Sequence, residues 1–231
     1  MPSYGAVTVP IPLRWRIPRL LLLALWAAWS PAWADEWDYW NQQIVEGPRL
    51  GRWTPWLYAD TRTGLESGRM TGHVLSPRIR CSLGDGLNAE AHYSWVSIRS
   101  ASGGHLDQHR AEFELNPGWK PTPRLTVVLR NRVEVRWLEG QTGVDPRTRH
   151  RLHVEYALQG LGPWTSVFFQ EEAILEYDGL HLAENRLVPL GLGFRLGEHA
   201  SLKVYHTWRP MRLRTGWQDT HFIASQVTWR F

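Results

Sequence analysis

The sequence lacks the features that most helical membrane proteins and disulfide-rich secreted proteins depend on. Beyond residue 34 it has no run of 18 apolar residues, so no transmembrane helix is expected there. Its only cysteine, Cys81, has no partner for an internal disulfide, and no redox role follows from it. No sign of charge dominates either. After residue 34, 23 of the 26 basic residues are balanced by 22 acidic ones, which argues against nucleic acid as a partner.

The one long apolar run, Leu20–Ala28, lies within the first 34 residues. It follows Arg14, Arg16 and Arg19 and precedes Ala32-Trp33-Ala34, which has the small-x-small pattern of a cleavage site. An uncleaved membrane anchor is disfavoured, because a spanning helix needs about 20 apolar residues. We therefore expect residues 1–34 to be a secretory signal peptide, with the mature chain starting at Asp35.

The rest of the chain shows period-two alternation, the pattern of β-strands with two different faces. In residues 124–137 the apolar positions include Leu125, Val127, Leu129 and Val133, and the positions between them are largely arginine and glutamate. In a soluble sandwich the apolar face would meet a core. In an outer-membrane barrel it would meet lipid, with the charged face in the lumen. Alternation alone leaves both architectures open.

Three further features favour the membrane barrel. The alternating runs are about 12 to 16 residues, whereas strands of soluble proteins usually have about 5 or 6. Eleven of the 15 tryptophans follow residue 34, many near the ends of the runs, as in the aromatic girdles of such barrels. The chain ends in an alternating strand closed by Phe231, which resembles the C-terminal assembly signal of outer-membrane barrels. We predict an all-β, antiparallel transmembrane barrel of the Gram-negative outer membrane, with membrane lipids and the barrel-assembly machinery as partners.

Ten strands are predicted, and their total is expected to be even and to lie between 10 and 12. They are placed at residues 52–63, 72–83, 87–100, 106–116, 124–138, 148–159, 164–177, 185–196, 201–213 and 220–231. Tight turns alternate with longer polar loops, which predicts short periplasmic turns and longer outward loops. The barrel thus covers residues 52–231. Residues 35–51 form an N-terminal segment that either clasps the rim or supplies an extra strand.

The charged positions of these strands are predicted to face the lumen, because a charge at mid-membrane on the lipid face costs about 2–4 kcal/mol. In a barrel of about ten strands, long side chains can meet across the interior and close it. We expect Arg130, Arg132 and Arg136 to pair chiefly with Glu112, Glu114 and Glu155. The predicted lumen charge network comprises Arg78, Arg80, Glu90, Arg110, Glu112, Glu114, Arg130, Arg132, Glu134, Arg136, Arg149, Arg151, Glu155, Glu172 and Arg195.

Catalytic chemistry has one weak candidate, the His92-Tyr93-Ser94 segment, which is similar to a segment of lipid A 3-O-deacylase barrels. The alternation turns His92 and Ser94 toward the lumen, away from lipid, so an ordinary lumen pair is the favoured interpretation. The acidic and histidine residues elsewhere match no metal-ligand spacing. We therefore predict no catalytic residue, no metal and no cofactor.

A family resemblance covers nearly all of the mature chain. The segments that carry it are Leu129–Arg136, Arg149–Leu152, Glu184–Leu187 and Gly191–Leu196, with Trp37, Trp40 and Arg78. They resemble the domain of unknown function 2490 family. The resemblance implies an outer-membrane barrel without an assigned activity.

Three functional classes remain open from the sequence. The first is a barrel whose lumen is closed or narrowly gated by the charge network. The second is a small-solute pore, and the third is an outer-membrane hydrolase that modifies lipid. We favour the closed or narrowly gated barrel, because conduction would require dense ion pairs to break.

Overall fold

The computed structural model describes residues 37–100, 103–177, 181–213 and 215–231. The predicted signal peptide lies outside these ranges. Within them, no helix has the length and apolar character required to span a membrane.

The described residues form eleven β-strands. They are β1 (Trp37–Glu46), β2 (Trp53–Gly64), β3 (Met70–Gly84), β4 (Leu87–Arg99), β5 (His105–Thr122), β6 (Leu125–Leu138), β7 (Asp145–Ala157), β8 (Trp164–Glu176), β9 (His181–Arg195), β10 (Ala200–Leu213) and β11 (Gly216–Arg230). The ten predicted strands correspond to β2 through β11. The eleventh, β1, comes from the N-terminal segment, which is therefore an integral strand and not a clasp.

The strands close into a barrel in chain order, each antiparallel to its neighbour except at one seam. At that seam β1 and β11 pair in parallel, with Trp37 opposite His221 and Glu46 opposite Arg230. Successive strands reverse direction, so an odd number of strands brings the first and last together in parallel. The count of eleven in the described chain lies within the predicted range, but our expectation of an even number was wrong.

The seam gives the barrel two distinguishable rims. The C-terminal rim is where β1 and β11 end, and it carries the connections at 47–52, 85–86, 123–124, 158–163 and 196–199. The N-terminal rim is where β1 and β11 begin and where β2, β4, β6, β8 and β10 end. The predicted contrast between short and long connections is reduced, because β3, β7 and β9 begin two to four residues earlier than predicted.

Alternation gives each strand a buried face and an exposed apolar face. On β6, Arg132 and Glu134 point into the barrel and are buried, whereas Leu129, Val133 and Trp137 are exposed on the outside. The same exposed band continues through other strands, with Val45, Leu57, Leu75, Ile79, Phe113 and Leu115. Exposed aromatics stand near both rims: Trp53, Trp119 and Trp229 near the C-terminal rim, and Trp137 and Trp217 near the N-terminal rim.

The seam is packed on both of its faces. Inside, Trp40 of β1 is 2% exposed and stacks on Phe222 of β11, with ring centroids 3.8 Å apart. The guanidinium carbon of Arg62 lies 4.0 Å from the Trp40 ring centroid, a cation–π contact. Outside, the Tyr39 hydroxyl and Ser225 Oγ are hydrogen-bonded at 2.6 Å. The parallel seam is thus sealed by side chains as well as by its backbone ladder.

One close approach shapes the lumen wall between β8 and β9. The ring of Phe168, buried on the inner face, lies against the backbone of Gly191, and a side chain at that position would overlap the ring. The ladder between the two strands is irregular here, with register shifts on either side of this contact. Glycine is required because the aromatic ring occupies the space of its missing Cβ.

Candidate functional site

The inner face of β5 to β8 carries a closed circuit of ion pairs, here called the ionic ring. Its six members alternate in charge around the circuit Glu114, Arg132, Glu134, Arg149, Glu172 and Arg130. Glu114 lies directly opposite Arg132 in the register. Arg149 lies opposite Arg132 and Ile174, so it meets Glu134 and Glu172 diagonally across the neighbouring strands.

The contacts of the ionic ring are short and mostly charge-assisted. Glu134 Oε1 accepts from Arg132 Nη1 at 3.1 Å and from Arg149 Nη1 at 3.0 Å. Arg149 Nη2 donates to Glu172 Oε2 at 2.6 Å, and Arg130 contacts the same carboxylate. Arg132 Nε donates to Glu114 Oε1 at 2.5 Å, and Arg130 Nε lies 3.8 Å from that oxygen.

The ionic ring is buried, so the loss of any one of its members destabilises the barrel. The Glu134 side chain is 0% exposed and that of Glu172 is 2% exposed. Removing one partner of a buried pair leaves an uncompensated charge and typically costs about 3–5 kcal/mol. Each carboxylate has at least two arginine partners, so the members hold one another in place.

A chain of contacts runs from the ionic ring to the C-terminal rim. Arg132 Nη1 lies 3.0 Å from Glu112, and His92 is hydrogen-bonded between Glu112 and Glu90 at 3.1 Å on each side. Arg80 Nε then donates to Glu90 at 2.6 Å, and Arg80 Nη1 reaches Glu46 at 3.3 Å. Strands β3, β4 and β1 are thereby joined to the ring through side chains.

A second set of contacts extends toward the N-terminal rim and the later strands. Arg136 Nη2 lies 2.5 Å from Asp145 and 3.4 Å from Glu176. Arg147 contacts Glu134. On β9 and β10, Glu184 accepts from Arg186 at 2.5 Å and from Arg209 at 2.6 Å, and Arg186 lies 3.8 Å from Glu172.

The members of these contacts that the predicted network lacked include Arg147, Glu184, Arg186 and Arg209. Arg147 and Glu184 fell in segments predicted as loops, because β7 and β9 begin earlier than the alternation indicated. Arg186 and Arg209 do lie at inward positions of predicted strands. Their spacing from other charged positions on β9 and β10 could have indicated that they face the lumen.

Only some of the predicted arginine–glutamate pairs occur among the described residues. Arg132 contacts both Glu112 and Glu114, whereas Arg136 contacts Asp145 and Glu176. Glu155 lies apart from the ionic ring, where it accepts from Lys203 at 2.8 Å and from Ser166 at 2.5 Å. It lies nearer the C-terminal rim, because β7 runs toward that rim.

Four predicted members of the lumen network have few or no carboxylate contacts among the described residues. Arg110 Nη1 is 4.0 Å from Glu134, and Arg110 Nε donates to Gln108 Oε1 at 2.6 Å. Arg78 and Arg151 point into the lumen but have no carboxylate within 4.0 Å in this part of the chain. Arg195 does not join the network, because it is exposed at the last residue of β9, beyond the enclosed part of the lumen.

The histidine and serine of the hydrolase candidate face inward but do not meet. Both ring nitrogens of His92 are engaged by carboxylates, and Ser94 Oγ donates to Ser76 Oγ at 2.8 Å. A nucleophile needs its base within hydrogen-bonding reach. Both side chains are also buried on the lumen side, away from any lipid substrate.

One group of buried side chains has ligand atoms close enough for a metal ion. Oxygens of Glu90 and Glu114 and a ring nitrogen of His92 lie within 4.8 Å of one another. Arg80 and Arg132 already contact these two carboxylates, so their charge is neutralised without a cation. The geometry favours a hydrogen-bonded histidine here over a metal centre.

The lumen holds a cavity of about 410 Å³ whose wall is formed by residues of all eleven described strands. Five members of the ionic ring belong to that wall: Glu114, Arg130, Arg132, Arg149 and Glu172. The wall also carries six aromatic side chains: Trp40, Trp56, Tyr58, Phe168, Tyr205 and Phe222. Arg80, Glu46 and Lys203 line the cavity nearest the C-terminal rim, and their side chains are partly exposed, so the cavity is accessible from that rim.

The outer face carries an unexpected polar patch at mid-height of β6 to β9, formed by Asn131, His150, Glu171 and Asn185. His150 Nδ1 is hydrogen-bonded to Asn131 Oδ1 at 2.9 Å, and Asn185 Nδ2 donates to Glu171 Oε1 at 3.3 Å. Apolar neighbours such as Leu129 and Leu152 line a depression of about 250 Å³ around them. The patch interrupts the apolar exterior on this side of the barrel.

The predicted assembly signal, Phe231, follows β11 at the C-terminal rim. Its side chain is 73% exposed, and its backbone N–H donates to the Glu46 carbonyl at 3.2 Å. The residue is thus available to a partner while its backbone extends the seam.

A closed β-barrel with an ion-paired lumen defines the structural class of this protein. A family model described as Protein of unknown function (DUF2490) matches residues 37–220. The chain belongs to this family, as the sequence resemblance indicated. The match begins at the first residue of β1, so β1 is part of the family domain. Comparison with curated proteins gives no match.

Proposed function

We propose that the protein is an outer-membrane β-barrel of a Gram-negative bacterium whose lumen is closed to solutes by the ionic ring. Its strands have 10 to 18 residues, and about 9–11 are needed to cross a bilayer. The exposed apolar band and the aromatics near both rims match a lipid-facing surface. We propose that the C-terminal rim, where β11 ends, faces the periplasm.

The single observation that carries the closure is the ionic ring itself. Four strands contribute to it, and Glu134 has no exposed surface. Arg186, 3.8 Å from Glu172, has its guanidinium carbon 5.4 Å from the Trp40 ring centroid on β1, so contacts of the ionic ring reach the other side of the lumen. A solute that crossed there would have to separate pairs whose members are buried and multiply bonded, at a cost of about 3–5 kcal/mol for each broken partner. A barrel of this size is narrow enough for side chains to meet across it.

Planar-bilayer recordings test closure directly. The wild-type protein is expected to give no resolvable single-channel current, whereas Glu134→Ala removes the carboxylate shared by four arginine side chains and opens transient conductance. Glu198→Ala, in an exposed connection, is the matched control and should remain silent. A steady conductance in the wild type would contradict closure and would favour the small-solute pore.

Fractionation tests the proposed location. The protein is expected in outer-membrane fractions with Asp35 as its first residue, which N-terminal sequencing can identify. Deletion of Phe231 should reduce the outer-membrane level far more than deletion of Glu198, because only Phe231 belongs to the proposed assembly signal. Retention of Met1, recovery in the cytosol, or equal levels of the two deletions would each contradict this part of the proposal.

A further inference from the structure

The lumen cavity has more cationic than anionic side chains in its wall. Ten arginine and lysine residues line it against six aspartate and glutamate residues. Part of the difference is balanced by carboxylates behind the wall, since Glu134 contacts Arg149 and Glu155 contacts Lys203. The positive charge that is not balanced in this way is concentrated at particular side chains and leaves a positive potential inside the cavity.

Arg151 is the clearest of these side chains. It lies on β7 beside the ionic ring, lines the cavity, and has no hydrogen-bonding or ion-pair partner among the described residues. Its Nε is buried without an acceptor. A buried guanidinium with donors left unused is costly, and it becomes favourable when an oxyanion enters and accepts from its fork.

Arg78 is the second under-paired cation, and it is positioned by aromatic rings. Its guanidinium carbon lies 4.5 Å from the ring centroids of both Trp56 and Tyr58, and its Nε donates to Ser76 Oγ at 3.0 Å. These contacts fix the guanidinium without neutralising it, and no carboxylate within the described chain lies within 4.0 Å. Its terminal nitrogens therefore remain for an anion.

The cavity wall also offers apolar surface next to these charges. Phe168, held against Gly191, meets Tyr205 edge to face at 5.7 Å between centroids. A cavity of about 410 Å³ is in the range that holds small organic ligands. Aromatic walls bind an organic body, and arginine forks bind a planar carboxylate.

We propose that this cavity is a binding site for a small amphipathic organic anion, which enters from the C-terminal rim and is held by Arg78 and Arg151 against the aromatic wall. Five members of the ionic ring form part of the wall of the site. Binding is therefore compatible with a lumen that does not conduct, and it does not depend on the membrane in which the barrel resides.

Isothermal titration calorimetry on the refolded mature protein in detergent tests the site, with empty micelles as the blank. Sodium benzoate is the probe, benzamide is its neutral counterpart, and sodium phosphate tests recognition of an anion without an organic body. We expect benzoate to bind at least ten-fold more tightly than either of the others. Absent benzoate binding, or equal binding of benzamide or phosphate, overturns the proposal.

Variants locate the binding. Arg151→Gln and Arg78→Gln are each expected to weaken benzoate binding about ten-fold or more, since a hydrogen bond to a charged group contributes about 1.5–3 kcal/mol. Arg195→Gln, an exposed arginine outside the cavity, should bind as the wild type does. Heat-modifiability on gels checks that each variant folds. If Arg151→Gln does not fold, Arg151→Lys takes its place: this variant keeps the positive charge but loses the guanidinium fork, and it should also bind benzoate more weakly than the wild type. Unchanged affinity in folded variants at both arginines overturns the assignment.

Discussion

Glu171 and Glu172 are adjacent on β8 and chemically identical, yet they occupy opposite environments. Glu172 points into the lumen, is 2% exposed, and contacts Arg130 and Arg149 of the ionic ring. Glu171 points outward, is exposed, and accepts one hydrogen bond, from Asn185. The face of the strand, and not the residue type, therefore decides whether a carboxylate stabilises this barrel.

The same contrast holds for the two faces of β6 to β9 as a whole. Inside, the carboxylates and guanidiniums of the ionic ring alternate in charge and contact each other. Outside, His150 and Glu171 of the polar patch are hydrogen-bonded to the side-chain amides of Asn131 and Asn185. If the exterior meets lipid as proposed, removal of a polar group should change the free energy of unfolding in opposite directions on the two faces.

Removal of a ring carboxylate gives the largest expected effect. Glu172→Ala should lower the free energy of unfolding by about 3–5 kcal/mol, because Arg130 and Arg149 lose a buried partner. Urea unfolding of the protein refolded in lipid vesicles, followed by tryptophan fluorescence, measures the change. Glu198→Ala is the control and should have little effect. A loss below about 1 kcal/mol for Glu172→Ala would mean that water replaces the carboxylate and that the lumen is wet.

An intermediate effect is expected at the close approach behind the cavity wall. Gly191→Ala should lower the free energy of unfolding by about 1–3 kcal/mol, because the added methyl group overlaps the Phe168 ring and forces it to move. The same unfolding assay measures it. Gly197→Ala is the matched control, since a Cβ there meets no neighbouring atom. Equal stability of the two variants would show that the Phe168 ring moves freely.

The smallest effect is expected on the outer face, with the opposite sign. Glu171→Leu should raise the free energy of unfolding in lipid by about 1 kcal/mol, since a carboxylate facing lipid at mid-height is unfavourable, though less so than a lysine or arginine. Glu172→Leu, one residue away, is the control and should destabilise. A loss of stability in Glu171→Leu would break the comparison and would indicate that the patch contacts something more polar than lipid.

Most of the barrel could be predicted from alternation, but β1 could not be placed securely. On β2 to β11 the contrast between apolar and charged faces is strong. On β1 the outward positions Tyr39, Asn41 and Gln43 are polar, so its two faces resemble each other and the period-two signal is weak. The strand is specified mainly by contacts to its neighbours, above all the stacking of Trp40 on Phe222, which is separated from it by most of the chain.

The lumen charges were predictable as a set, whereas their partners were not. Inward position follows from alternation, which placed Arg132 and Glu134 correctly on the inner face. Pairing depends on register, and register depends on where each strand begins. Once β7 was found to start at Asp145, Arg147 came opposite Glu134 and Arg149 opposite Arg132. The under-paired state of Arg151 likewise depends on contacts among several strands, which no local pattern contains.

The parallel seam has a consequence for the order of events during folding. Every other strand pair joins segments that are consecutive in the chain and are brought together by a short connection, whereas β1 and β11 meet only when the whole domain has been synthesised. Pairs of such high sequence separation form late, because the entropy of closing the intervening loop must first be offset by local structure. Until then both outer strands have unpaired edges, which favour association with other chains. The Trp40–Phe222 stack crosses the seam, so its appearance marks the moment at which the cylinder is complete.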